Sequence, residues 1–184
     1  MDEIIIQTPR LVIRKPKMDD LNHIHSAKTQ VWPELQKWMS WAYDTEADIA
    51  STRRFIEAEA FNPLCGFIRE TQDFVVSTGI DVAGPDEYAT GYWVAEKYLG
   101  QGYATEATNA ILRYAFNALN AKAVHINYYG GNDKSRRVIE KLGFEFVHTE
   151  CKAKARCSNG ELLDVHNYIM CDTHKLPALE VTWS

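Results

Sequence analysis

The sequence has few of the features that mark secreted or membrane-spanning proteins. Its 184 residues include four cysteines and no C-x-x-C pair, a usage typical of reduced thiols in a reducing compartment. No apolar run approaches the roughly 20 residues that a membrane span requires. The first ten residues, MDEIIIQTPR, begin acidic and hold a short apolar run, whereas a signal peptide begins basic and has a longer one. We expect a cytoplasmic protein with no membrane partner.

Positive charge and metal-binding patterns are also scarce. The formal net charge is −5, so no general positive field would attract a nucleic acid, and we expect no such partner. Four possible metal ligands lie fairly near one another: His148, Cys151, Cys157 and His166. Their spacings match no common zinc pattern, and packing or strand-surface roles fit them better, so we expect no metal site.

Length and composition fit one globular unit. Hydrophobic residues make up 46% of the chain and charged residues 24%, which are ordinary values for such a protein. A chain of this size can bury roughly two thirds of its unfolded surface. Because no repeat, low-complexity tract or linker divides the sequence, we predict a single domain over residues 1–184.

Short runs of β-branched and aromatic residues predict the strands of one mixed sheet. EIIIQTPRLVIRKP forms either two short strands or one strand broken at Pro9. LCGFIRE and DFVVSTGIDV are typical of an antiparallel hairpin. The other predicted strands are EYATGYWVAE, AKAVHINYY, Phe144–Cys151 and Leu162–Cys171.

Helical spacing of apolar residues and capping signals predict four helices. They are Met18–Lys28, Thr45–Ala60, Ala104–Leu119 and the segment GGNDKSRRVIEKLGF, which ends at Gly143. Asp44 or Thr45 is the predicted N-cap of the second helix. The predicted fold class is therefore α+β, with a mixed, mostly antiparallel central sheet of about seven strands flanked by about four helices.

The segment WPELQKWMSWAY places three tryptophans close together: Trp32, Trp38 and Trp41. They form either a hydrophobic anchor for the neighbouring helices or one wall of a substrate groove. The sequence leaves both interpretations open.

YLGQGYATEA contains Gly100 and Gly102 between a predicted strand and a predicted helix. Glycine permits a positive φ and close approach to the backbone, and a helix begins with unpaired N–H groups. A dinucleotide-binding fold needs a third glycine in a repeated βαβ context, and a Walker loop needs Gly-Lys-Ser or Gly-Lys-Thr; the sequence has neither. The glycines then mark either an ordinary strand-to-helix turn or a loop whose N–H groups, from about Leu99 to Thr105, converge on a diphosphate.

GYWVAEKYLGQGYATEA, with NDKSRRVIEKLGF and TPRLVIR, resembles the GNAT acetyltransferases, specifically the ribosomal-protein N-terminal (serine/alanine) acetyltransferase branch. WMSWAYDTEAD and NGELLDVHNYIM are similar to the same branch, so the resemblance spans nearly the whole chain. It implies acetyl-CoA as cosubstrate, with pantetheine along Gly91–Val94 as an added strand. The implied cofactor-binding residues are Trp93, Val94, Leu99, Gly100, Gln101, Gly102, Tyr103, Ala104, Thr105 and Asn132.

Acetyl transfer to an amine needs a neutral amine, a donor for the oxyanion and a proton for the departing thiolate. A backbone N–H within Tyr92–Val94 is the candidate oxyanion donor. Most family members place a tyrosine in the helix after the fifth strand, where this chain has Ile139. The branch instead uses a serine three residues after an asparagine, which implies Ser135 after Asn132 as the catalytic proton donor. The alternative is that Asn132 only caps the helix and that Ser135 only lies in its first turn, where such polar residues are common.

The general base is not apparent in the sequence. Relatives often carry glutamate in a strand motif E-I-G-Y-W, where this chain has Ala89, and a second carboxylate of the branch falls near Lys154. Glu87 and Glu150 are candidate substitutes, and a water chain to solvent is another route for the proton.

The resemblance predicts an acetyl-CoA-dependent N-acetyltransferase that uses direct attack in a ternary complex. The expected acceptor is a primary amine, with a protein N-terminus such as that of a ribosomal protein ranked ahead of a polyamine or an aminoglycoside. A catalytically silent CoA-binding regulatory protein is the alternative, because the usual carboxylates are missing. The sequence does not predict the oligomeric state.

Overall fold

Two β-sheets organise the chain in its computed structural model, which describes residues 4–58 and 63–184. The strands are β1 (Ile5–Gln7), β2 (Leu11–Arg14), β3 (Pro63–Ile68), β4 (Phe74–Gly79), β5 (Asp81–Gly84), β6 (Glu87–Ala89), β7 (Tyr92–Val94), β8 (Ala123–Tyr129), β9 (Glu145–Ala155), β10 (Leu162–Met170) and β11 (Thr182–Trp183). One sheet has the order β11-β1-β2-β3-β4-β7 and the other β5-β6-β8-β10-β9. Neighbouring strands run antiparallel except for β6 and β8, which are parallel.

The predicted hairpin is confirmed as β3 and β4, and EIIIQTPRLVIRKP forms two strands. Two other predictions are corrected, because DFVVSTGIDV divides into β4 and β5, and EYATGYWVAE divides into β6 and β7. At each division the chain leaves one sheet for the other. The two crossings lie side by side, since the Thr90 hydroxyl donates to the Gly79 carbonyl at 2.8 Å and the Thr78 hydroxyl to the Gly91 carbonyl at 3.0 Å.

Five α-helices are described: α1 (Leu21–Gln30), α2 (Trp32–Trp38), α3 (Ile49–Ile56), α4 (Tyr103–Asn117) and α5 (Asp133–Leu142). None of them is long and apolar enough to cross a membrane. The sequence did not predict α2, which lies in the tryptophan-rich segment. The N-cap prediction for the second helix was wrong, because the Asp48 carboxylate accepts the Ala50 and Ser51 amides of α3. Residues 59–60 of that predicted helix lie outside the described residues.

The main core lies between the sheets and the helices α4 and α5. The apolar stripe predicted for α4 is buried there, as at Ile111 and Ala115, and α5 contributes Ile139 and Leu142. The helix α5 ends at Gly143, whose φ of +84° is the left-handed C-terminal conformation that glycine adopts without strain. The mixed, mostly antiparallel α+β prediction is confirmed, with the strands divided between two sheets.

The two sheets separate where β6 continues into β7. Thr90 still donates its N–H to the His125 carbonyl of β8 at 2.9 Å, but among the described strands β7 pairs only with β4. The Ala95 N–H donates to the Val75 carbonyl of β4 at 2.8 Å. Along an antiparallel pair of strands, residues that hydrogen-bond to the partner strand alternate with residues that do not. The backbone groups of Tyr92 and Val94 therefore point away from β4, toward the gap between the sheets.

Candidate active site

The glycine loop leads directly into α4 at the edge of this gap. Gly100 and Gly102 have φ angles of +74° and +82°, a region that side-chain-bearing residues rarely adopt. The first helical hydrogen bond runs from the Glu106 N–H to the Gly102 carbonyl at 3.0 Å. The amides of residues 103–105 thus lack intrahelical acceptors. The predicted set of free N–H groups began at about Leu99, but the Leu99 N–H donates to the Glu96 carbonyl at 3.1 Å. The free amides therefore begin after Leu99.

Arg10, in the turn between β1 and β2, contacts both the glycine loop and the first turn of α4. Its Nη1 donates to the Gln101 carbonyl at 3.0 Å, its Nε donates to Glu106 at 2.5 Å, and its guanidinium lies 4.0 Å from the Tyr103 ring centroid. Thr8 donates to the same carboxylate at 2.6 Å. Sequence reasoning used TPRLVIR only for the resemblance and missed this support, because the contact joins residues nearly one hundred positions apart.

A cleft of about 410 Å³ lies between the glycine loop, β7 and α5, and we call it the loop cleft. It brings together all the predicted site residues except one: Trp93, Val94, Leu99, Gly100, Gly102, Tyr103, Ala104, Thr105, Asn132 and Ser135. The exception is Gln101, whose side-chain amide turns back to the Lys97 carbonyl at 2.8 Å.

A basic face of α5 forms the opposite wall of the loop cleft. Lys134, Arg137 and Lys141 line it, at the three- and four-residue spacing that places side chains on one helix face. Among the described residues none of the three forms an ion pair, whereas Arg136 on another face pairs with Asp133 at 3.3 Å. The sequence analysis missed this face, although its spacing was a readable signal. The cleft therefore combines helix N-terminal amides with unpaired positive charge, which suits a phosphate-bearing ligand.

Ser135 lies where α5 faces β7. The Asn132 side-chain oxygen accepts the Ser135 backbone N–H at 3.2 Å, so Asn132 is the N-cap of α5 while it also lines the cleft. The Ser135 hydroxyl lies 3.1 Å from the hydroxyl of Tyr92, a residue that sequence reasoning did not single out. Burial raises the pKa of Tyr92 to about 12, against the smaller lowering effect of its bond to Ser135, so the phenol is neutral near pH 7. Ile139, which stands where most family members have tyrosine, is fully buried in the core.

A second cleft, of about 650 Å³, opens on the other side of β7, and we call it the aromatic cleft. Trp32, Trp41 and Trp93 are among its walls, and it meets the loop cleft at Met39, Tyr92 and Trp93. Trp32 is buried in a small apolar cluster and Trp38 lines the loop cleft. The tryptophan-rich segment thus contributes to a buried cluster, as the anchor interpretation expected, and also lines both clefts, while its role in a substrate groove stays a prediction.

Charged groups also line the aromatic cleft: Lys28, Asp44, Arg54 and Asp81. The carboxylates proposed from the sequence lie elsewhere. Glu87 bonds to His125 at 2.9 Å and Glu150 accepts from Asn167 at 2.9 Å, and neither lines either cleft. Within residues 4–58 and 63–184, no three His, Cys, Asp or Glu side chains are placed to hold a metal ion.

Comparison with known families shows to which family this chain belongs. Residues 10–145 match the profile of the acetyltransferase (GNAT) domain, which is well over half of the chain. The chain belongs to the GNAT acetyltransferase family. The predicted enzyme class, an N-acetyltransferase, is confirmed by this membership, whereas a single domain over residues 1–184 stays a prediction.

Individual relatives agree with the family. YdaF of Bacillus subtilis strain 168, named as a ribosomal N-acetyltransferase, is 43% identical over 54 residues, which are 29% of this chain and 30% of YdaF. The N-acetyltransferase p20 of Bacillus licheniformis is 25% identical over 178 residues, covering 89% of this chain and 93% of p20. The structure of RimL, a ribosomal L7/L12 α-N-protein acetyltransferase in complex with coenzyme A, superposes with a TM-score of 0.80 at 18% identity over 91% of this chain and 97% of that one. The fold is thus that of this superfamily.

Proposed function

We propose that the protein transfers the acetyl group of acetyl-CoA to a primary amine, by direct attack within a ternary complex. The observation that carries this proposal is the loop cleft itself. It combines the free N-terminal amides of α4, the basic face of α5 and the unpaired edge of β7 in one space. Coenzyme A has a matching set of groups, namely phosphates, an amide-bearing pantetheine arm and a reactive sulfur.

The phosphates would lie at the start of α4. The amides of residues 103–105 and the positive φ of Gly100 and Gly102 provide a backbone surface without obstructing side chains. Arg137 and its basic neighbours on α5 would add favourable charge. RimL, with the same fold, binds coenzyme A, which supports this assignment.

The pantetheine arm would add to the free edge of β7. Its amides would pair with the backbone groups of Tyr92 and Val94 that point into the gap. This arrangement would leave the thioester carbonyl near a Val94 N–H, which can donate to the oxyanion that forms during attack.

During the transfer the C–N bond forms, the C–S bond breaks, the amine loses a proton and the thiolate gains one. Ser135 is the proposed proton donor to the thiolate, since its hydroxyl lines the loop cleft. Tyr92 is the proposed positioning residue, because its neutral phenol hydrogen-bonds to that hydroxyl from the junction of the two clefts. The proton lost by the amine has two open routes, namely water or a carboxylate such as Asp44 or Asp81 of the aromatic cleft.

The aromatic cleft is the proposed acceptor site, since it meets the loop cleft beside the proposed thioester position. A protein N-terminus is the proposed acceptor, which the names of YdaF and RimL support. Thiol release from acetyl-CoA, measured with N-terminal peptides, polyamines and aminoglycosides, tests both points. Turnover with peptides alone is expected, turnover with a small amine alone would replace the acceptor class, and none with any amine would favour a silent CoA-binding protein.

A further inference from the structure

Lys28 is an unusual side chain within the aromatic cleft. It lines the cleft on α1, yet only 7% of the residue is exposed to solvent. Lysine is rarely buried to this degree unless a carboxylate neutralises it. Among the described residues no carboxylate forms an ion pair with it.

The surroundings of the Lys28 ammonium leave it short of acceptors. It donates to the Ser51 hydroxyl at 2.6 Å, and that hydroxyl donates onward to the Asp48 carbonyl at 2.7 Å. The rings of Trp32 and Trp41 lie 5.1 and 5.6 Å from the ammonium. An ammonium has three donors, and the described residues provide a hydrogen-bond acceptor for one.

The nearest carboxylates do not neutralise this charge directly. Asp48 is occupied as the N-cap of α3 at 2.9 and 3.0 Å, and Arg54 lies 3.8 Å from it. Burial lowers the pKa of Lys28, and the more distant charges of Asp48 and Asp44 only partly oppose this. The cleft therefore contains a desolvated cation that an anionic group of a ligand would stabilise.

We propose that Lys28 is a specificity residue that binds a carboxylate of the acceptor, so that the acceptor carries a carboxylate in addition to its reactive primary amine. The aromatic side chains of the cleft pack against the part of the acceptor that lies between its amine and its carboxylate. Lys28 binds the carboxylate. This inference rests on the proposed function of the aromatic cleft. Two sources supply such a carboxylate, namely an acidic side chain near a peptide N-terminus and the free carboxyl terminus of a very short peptide.

The first test compares acceptors that differ only in one carboxylate. One arm uses C-terminally amidated peptides with Glu or Gln at the second, third or fourth position, and the other uses dipeptides and tripeptides with free or amidated ends. A charge-assisted hydrogen bond predicts that kcat/KM for the carboxylate is at least about tenfold higher in one arm, which also identifies the source. Equal kcat/KM within every pair would overturn the proposal.

The second test replaces the ammonium. Lys28→Met keeps the methylene packing, so circular dichroism should show a native fold. It should remove the preference by lowering kcat/KM for carboxylate acceptors at least about tenfold more than for their amide partners. Lys122→Met is the control, because Lys122 pairs with Asp86 at 2.9 Å and lines neither cleft. An equal loss for carboxylate and amide acceptors would contradict the proposal.

A binding experiment separates this inference from the proposed function. N-acetylated peptides cannot react, yet their carboxylates should change the tryptophan fluorescence of the wild type and not that of Lys28→Met, since Trp32 and Trp41 lie beside the ammonium. Saturable binding of the carboxylate partner of a pair and not of its amide partner, with no thiol release from any amine, would reject the transferase proposal and keep the subsite. Thiol release with no difference between the carboxylate and amide partners of any pair, in either assay, would reject the subsite and keep the transferase.

Discussion

The two clefts that meet at β7 are built in opposite ways. The loop cleft depends on backbone groups and comes mainly from two stretches, residues 92–105 and 132–141, each with a local pattern. The aromatic cleft depends on side chains from α1, α2, the segment between α2 and α3, α3 itself, β3, β4, β5 and β7. In the proposed function, a donor shared by the whole superfamily is held by a fixed backbone motif, whereas the proposed acceptor wall can change residue by residue. Substitutions on the two sides should therefore have separable effects on donor affinity, turnover and acceptor choice.

The largest expected effect is on turnover, at the boundary between the clefts. Ser135→Ala should lower kcat about 100-fold and leave the Kd for acetyl-CoA nearly unchanged, because a general acid acts mainly in the transition state. The Asn132 cap uses the Ser135 backbone N–H and is kept, so stability should fall only by the lost hydrogen bond to Tyr92, about 1 kcal/mol. Steady-state kinetics and calorimetry check this, with exposed Ser26→Ala as control. Unchanged kcat, with chemistry shown to limit turnover, would remove Ser135 from the mechanism.

A side chain in the glycine loop should reduce donor affinity alone. Gly100→Ala should weaken coenzyme A binding about tenfold or more, since it obstructs charge-assisted contacts between backbone and phosphate. Gly160→Ala is a matched control, because Gly160 has nearly the same φ, +73° against +74°, and neither added Cβ meets an atom within 4 Å. Both variants should lose similar stability, about 1–2 kcal/mol, from the left-handed conformation. Equal affinity of both for coenzyme A by calorimetry would contradict the proposed phosphate position.

Removing the Tyr92 hydroxyl tests whether this residue acts through Ser135. Tyr92→Phe should lower kcat about five- to tenfold with little change in donor Kd, as expected for one hydrogen bond of about 1 kcal/mol. Combined with Ser135→Ala it should cause no further loss, because the two hydroxyls act as a unit. Tyr114→Phe, on the far side of α4 against Trp183, is the control. Fully additive losses in the double variant would refute the coupling.

The pH dependence provides a further check on Tyr92. Burial raises its pKa from the ordinary value near 10 to about 12, so the phenol loses its proton at a higher pH than an exposed tyrosine does. The phenol is then protonated throughout pH 6–10, and Tyr92→Phe should leave the shape of the kcat profile over that range unchanged. A pH-dependent step near neutrality that disappears in the variant would show that Tyr92 itself titrates there.

The smallest expected effect is at the basic wall of the loop cleft. Arg137→Ala should weaken coenzyme A binding about threefold at physiological salt, since exposed charges are screened, and the loss should grow at low ionic strength. Arg136→Ala, one position away and paired with Asp133, should leave binding unchanged. Equal losses in the two variants would show that the α5 charges act only as a general field, and a loss that does not depend on salt would show that it is not electrostatic.

Sequence reasoning predicted the loop cleft better than its surroundings because its signals are local. The G-x-G spacing, the helix start at Tyr103 and the cap at Asn132 each depend on neighbours a few residues away. It failed where one alternating pattern crosses between sheets, as at Thr90 and Gly91, because alternation does not record which partner a strand has. It missed the Tyr92–Ser135 contact because it joins residues 43 positions apart.

By itself the sequence determined the α+β fold class, the GNAT resemblance and a glycine loop that leaves helix amides free, since backbone conformation and helix capping follow from short-range sterics and hydrogen bonding. Only the tertiary structure decided how the two sheets separate at β7 and which side chains meet across the gap. Only the tertiary structure also shows that Lys28 is buried beside two tryptophans and has no carboxylate partner among the described residues. Burial and long-range pairing depend on the packing of distant segments, which no local pattern encodes.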